Sequence, residues 1–124
     1  MATLLFFGLN RAGHGQLESI LIAQGHRVQY AEKCEAVSVD AVFCDGDDEK
    51  YCWILSGLRT RFPRVPIVVV TRNPTENKWL DALKAGAADY CSAPFEPVHV
   101  RWILQSVLPV RSRIFAADPI VHAA

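Results

Sequence analysis

Short apolar runs alternate along the chain with segments whose apolar residues recur at helical spacing. Leu4–Leu9 is the first run, followed by a Gly-rich turn at Gly13-His14-Gly15. Leu17, Ile20 and Leu21 stand at i, i+3 and i+4, which predicts a helix that Gly25 stops. His26–Tyr30 alternates as a short strand does, and Ala31–Val39 has room for about two helical turns. Ala41–Cys44 reads as a buried strand running into the acidic cluster Asp45-Gly46-Asp47-Asp48-Glu49. Tyr51, Ile54, Leu55, Leu58 and Phe62 then keep helical spacing, with Asp47 or Asp48 expected to cap that helix. Ile67–Val70 is a run of β-branched residues with no polar alternation, the mark of a strand covered on both faces. Asn73-Pro74-Thr75-Glu76 has the order of a helix start, and Gly86 of its end. Ala88–Cys91 is the last strand. Pro97 opens a final helix carrying Val100, Ile103, Leu104, Val107 and Leu108.

Five strands alternating with five helices predict an open, doubly wound α/β sheet. Right-handed crossovers place helices on both faces, and chemistry belongs at the carboxyl ends of the strands. The periodicity fails after Leu108. The expected organisation is one domain over residues 1–108, with 109–124 as a C-terminal tail or linker stub whose Ile114, Phe115, Ile120 and Val121 could dock it.

Composition narrows the function classes. The 124 residues are 51% hydrophobic and 21% charged, which suits one ordinary folded domain and excludes a disordered chain. Thirteen basic residues balance thirteen acidic ones. That removes the electrostatic argument for binding nucleic acid or an anionic membrane. Cys34, Cys44, Cys52 and Cys91 are scattered without zinc-type spacing, so no structural metal is expected and free thiols are. The N-terminus lacks the basic region of a signal peptide, and no run approaches the roughly 20 apolar residues of a membrane span. A cytoplasmic protein is expected.

The residues at the strand ends say more. Asp45 follows the third strand, Thr71 ends the fourth, and Tyr90 precedes Ser92-Ala93-Pro94-Phe95. Here the chain resembles the receiver domain of bacterial two-component response regulators. The best-matching stretch is Ala82-Leu83-Lys84-Ala85-Gly86-Ala87-Ala88-Asp89-Tyr90, and the resemblance spans roughly residues 3–108. It implies a flavodoxin-like five-stranded parallel sheet in the order 2-1-3-4-5. It also implies roles: Asp45 as phospho-acceptor, Thr71 and Tyr90 as switch residues, and Pro94 following a cis bond. The implied partner is a protein: a histidine kinase, an output domain or a second copy. It would dock on the fourth helix, fifth strand and fifth helix, around Trp79, Tyr90 and Trp102.

Departures from the family pattern are severe. The acidic pair that holds Mg²⁺ falls on Gly8 and Leu9, with only Asn10 nearby to offer a neutral oxygen. The lysine that meets the phosphoryl group falls on Ala93. Two main stabilisers of phosphoryl transfer are thereby lost, and any Mg²⁺ affinity near Asp45 should be weak. The expectation is a pseudo-receiver: a non-enzymatic signalling module of a phosphorelay-type system, without a resident cofactor. Two alternatives stand beside it. One is phosphorylation of Asp45 by an unusual route through Asn10, Arg11 or Arg72. The other is a flavodoxin-like small-ligand binder using the Gly13-His14-Gly15 turn.

Overall fold

The computed structural model describes residues 2–31, 38–48, 50–73 and 75–108. The tail expected at 109–124 lies outside them, as does most of the short helix expected at Ala31–Val39. Ala31 itself closes a strand. The elements are β1 (Thr3–Phe7), α1 (Arg11–Ala23), β2 (Arg27–Ala31), β3 (Ala41–Asp45), α2 (Tyr51–Arg61), β4 (Ile67–Thr71), α3 (Glu76–Lys84), β5 (Asp89–Ser92) and α4 (Pro97–Val107). The described residues thus hold four helices rather than five. All neighbouring strands pair in parallel, in the order β2-β1-β3-β4-β5.

The unbroken apolar runs become the central strands. Every residue of β4 is buried, as are Ala41–Cys44 of β3, because helices cover both faces there. Successive side chains alternate between two cores. Phe6, Phe43, Val68 and Val70 pack with Leu17 and Leu21 of α1 and with Val100, Ile103 and Leu104 of α4. Leu5, Val42, Cys44 and Val69 pack with Leu55 and Leu58 of α2 and with Ala82 of α3. Helices α1 and α4 therefore lie on one face and α2 and α3 on the other.

Four local expectations need correction. Leu4–Leu9 does not run as one strand, because Gly8 takes φ +77° and ends β1 after Phe7. Gly13-His14-Gly15 is no loop. Asn10 caps α1 by accepting the Gly13 N–H at 2.7 Å, and the chain is helical from Arg11 with a kink at His14 (φ −129°, ψ 15°). His14 is buried, and its Nδ1 accepts the Asn10 N–H at 3.3 Å. Neither Asp47 nor Asp48 caps α2. Asp48 closes the preceding turn by accepting the Lys50 N–H at 2.8 Å, and Asp47 points elsewhere. The helix expected from Asn73 begins at Glu76, since the Asn73 N–H is bound to the Thr71 hydroxyl at 3.0 Å.

Buried Cys44 and Cys91 are free thiols, and burial pushes both up to about 12. Cys52 is free and exposed. No helix among the described residues is long and apolar enough to cross a membrane.

One pH effect follows from the start of the chain. His26 Nδ1 accepts the Ala2 N–H at 3.1 Å, and burial lowers its pKa from the ordinary 6.5. The neutral ring is therefore the folded form. Its contribution is fully present above about pH 6.5 and is lost as the pH falls through the lowered folded value. Urea midpoints measured across this range should fall on acidification, and His26→Gln should flatten that slope. Identical slopes in the two proteins would contradict the assignment.

Candidate functional site

Strand register brings the candidate residues to one edge. Phe7, Cys44, Val69 and Tyr90 form a single cross-strand row, so Gly8, Asp45 and Thr71 follow at the carboxyl ends of β1, β3 and β4. A Cβ on Gly8 would stand 3.5 Å from Asp45 Cβ, which places the two side by side. Leu9 leaves this edge and enters the core, where it is 7% exposed.

Asp45 is half-buried, and its Oδ1 accepts the Asp47 N–H at 2.9 Å. Gly46 makes this turn possible. Its N–H donates to the Val70 carbonyl at 2.7 Å, and a Cβ there would stand only 2.4 Å from Val69 Cγ1. Val69 is fully buried and stiff about χ1, so it has nowhere to go. Gly46→Ala should therefore cost about 1–3 kcal/mol by overpacking. It should also lift the turn away from β4, read as a lowered urea midpoint with amide shifts centred on residues 45–47 and 69–71. A variant as stable as the parent would contradict this packing.

Seated against β4, the turn delivers Asp47 to Thr71. The Thr71 hydroxyl donates to Asp47 Oδ1, and the Arg72 N–H donates to Asp47 Oδ2 at 2.8 Å. Thr71 is fully buried, and its hydroxyl oxygen also accepts the Asn73 N–H. Asp47 is thus part of the site rather than a solvated helix start. The strand pattern made Thr71 legible, but no spacing rule links Asp47 to a residue 24 positions away.

The two arginines at this end differ. Arg11 pairs with Glu18 at 3.2 Å and lies over the Tyr30 ring at 5.2 Å, so it serves the β2 edge. Arg72 is exposed and crosses to the start of α1, where its Nη1 would be 3.3 Å from a Cβ on Gly13. Its guanidinium makes no hydrogen bond or ion pair among the described residues. The Asn10 oxygen is committed to its cap.

Tyr90 packs its ring against the α2–α3 core on the face that Val69 and Thr71 share. Its hydroxyl is enclosed without a partner among the described residues. Ala93 donates its N–H to the Thr71 carbonyl at 2.9 Å and packs on the α1–α4 core. The Ala93–Pro94 bond is cis. Among the described residues no three His, Cys, Asp or Glu side chains gather as a metal site.

Large apolar side chains stand exposed near the β5 edge: Trp79, Leu80 and Leu83 on α3, and Val98 and Trp102 on α4. Trp53 on α2 is 77% exposed.

No family model and no curated protein matches the sequence. Solved structures do match. A response regulator from Thermotoga maritima is 22% identical with a TM-score of 0.70, over 84% of this chain and 98% of that one. The chemotaxis response regulator CheY4 of Vibrio cholerae is 19% identical with a TM-score of 0.71, over 87% and 99%. NtrX from Brucella abortus is 18% identical with a TM-score of 0.74 over 86% of this chain, which spans only 26% of NtrX. At these identities the likeness is one of fold. The parallel sheet in the order β2-β1-β3-β4-β5, with helices on both faces, is the flavodoxin-like receiver fold of the response regulators.

Proposed function

We propose that this chain is a signalling interaction module: an atypical receiver of a phosphorelay-type two-component system, with weak or absent Mg²⁺-dependent phosphorylation at Asp45. It works by docking rather than by turnover. In this reading Asp45 stands at the phospho-acceptor position and Thr71 and Tyr90 at the switch positions. Gly8 and Leu9 replace the metal-binding acids, and Ala93 replaces the lysine before Pro94.

The observation that carries the reading is the side-chain set around Asp45. Mg²⁺ requires oxygen ligands near octahedral geometry. Gly8 offers no side chain, Leu9 is buried in the core, and Asn10 Oδ1 is spent on the α1 cap. Asp45 Oδ1 and both Asp47 oxygens already accept hydrogen bonds. This set does not fit the ion. Without the metal and an ammonium group, charge on a transferring phosphoryl group lacks its main stabilisers.

The docking surface is the β5 edge with α3 and α4, where Trp79 and Trp102 are exposed. Aromatic anchors of this kind carry much of the energy of protein interfaces. The partner class is a histidine kinase, an output domain or a second copy. Titration with Mg²⁺ and beryllofluoride, followed by amide shifts, tests the pocket. The reading expects no saturable shifts at Asp45, Thr71 and Tyr90. Saturable shifts that vanish in Asp45→Ala would overturn it.

A second reading is favoured by Arg72 alone. Its guanidinium lies at the start of α1, where a helix N-terminus also attracts anions, so it could replace the missing cation for phosphorylation of Asp45. Beryllofluoride shifts lost in Arg72→Ala would select this route. Asn10 and Arg11 are engaged elsewhere and do not support it.

A further inference from the structure

We propose that Asp47 is a positioning residue that acts as a built-in anion at the carboxyl end of β4, holding Thr71 and the Arg72 amide engaged while Asp45 is unmodified. The signalling consequence rests on the receiver reading above, whereas the anion competition is a property of the pocket itself.

The end of β4 offers two donors to an anion at this edge: the single hydroxyl proton of Thr71 and the N–H of Arg72. Asp47 takes one with each carboxylate oxygen. Such bonds to an ionised acceptor are the strong ones. The remaining acceptor capacity of the Thr71 hydroxyl goes to the Asn73 N–H, which fixes its rotamer.

Asp47 is itself held from both sides. Its N–H is bound to Asp45 Oδ1, and Gly46 seats the turn directly on β4. A carboxylate fixed within the chain competes at a high effective concentration, so a soluble anion has to displace it. Removing it changes the balance in two ways. Thr71 is fully buried, and its hydroxyl would lose its acceptor, which is costly unless another anion arrives. The site also loses one negative charge. Asp47→Ala should therefore create an anion site from the Thr71 hydroxyl and the Arg72 N–H.

The probe is inorganic phosphate, added to the full chain and followed by amide shifts of Thr71, Arg72 and Asn73. The wild type should show no saturable shifts there. Asp47→Ala should bind phosphate at least about tenfold more tightly, a gain of about 1.4 kcal/mol. It should also show faster hydrogen exchange at the Arg72 amide when phosphate is absent. Asp47→Asn keeps the shape of the side chain and guards against misfolding. Its uncharged amide should give an intermediate affinity. Equal phosphate affinity in all three proteins would overturn the proposal, as would unchanged Arg72 exchange in both variants. Neither readout needs a partner or modification of Asp45, so failure here leaves the docking and beryllofluoride tests standing. Failure of those tests leaves this one interpretable.

Discussion

Phe43→Ala is expected to lower the unfolding free energy by about 3–5 kcal/mol, the range for truncating a buried aromatic. Phe43 is fully buried on the central strand β3, and its ring lies 5.6 Å from that of Phe6. Parallel pairing with β1 on one side and β4 on the other leaves the backbone little freedom to collapse into the void. Domains of this size are stable by about 5–15 kcal/mol, so the loss is a large share of the total. The consequence reaches the site, because Asp45 lies two residues further along the same strand. Urea denaturation should give a much lower midpoint with an unchanged slope. A loss below about 1 kcal/mol would show that the core around β3 is not packed as described.

The second large effect is expected from Arg59→Ala, at about 2–4 kcal/mol. Arg59 lies on α2 and is half-buried. Its Nη1 donates to the carbonyls of Phe62, Pro63 and Val65 at 3.3, 3.2 and 3.1 Å, and its Nη2 to that of Gly86 at 3.0 Å. One guanidinium thus ties the connection between α2 and β4 to the turn between α3 and β5. The Gly86 backbone is left-handed there (φ +103°), so this turn has no helical partner for its carbonyl. Arg59→Lys should recover less than half of the loss, because an ammonium on a flexible stem cannot reproduce the planar fork. Full rescue by lysine would show that charge, rather than the fork, holds these carbonyls.

The sequence was informative where a signal is local or periodic. The β-branched run Ile67–Val70 and the apolar Ala41–Cys44 announce strands buried on both faces, and both form the centre of the sheet. Alternation of strands and helices gives the doubly wound architecture, and strand ends then place Asp45 and Thr71 at one edge. Glycines misled at two places, the first being Gly8, whose φ of +77° ends β1 inside the apolar run Leu4–Leu9. Gly13-His14-Gly15 reads as a turn, but the Asn10 cap and the burial of His14 keep the chain helical there. Two helix starts shifted through short-range bonds, Lys50 to Asp48 and Asn73 to Thr71, and the other errors concern contacts between distant residues. Asp47 looks like part of an acidic surface until Gly46 is seen pressed against Val69. Arg59 has the spacing of a solvated helix residue, and its four acceptors are loop carbonyls that carry no side-chain signature.

The proposed reading pairs a receiver fold with a site that lacks ordinary receiver chemistry. The most direct test is the intact mass of the full chain after incubation with Mg²⁺ and excess acetyl phosphate. An unmodified mass is expected for the wild type. A phosphoryl adduct that maps to Asp45 and is absent from Asp45→Ala would contradict it.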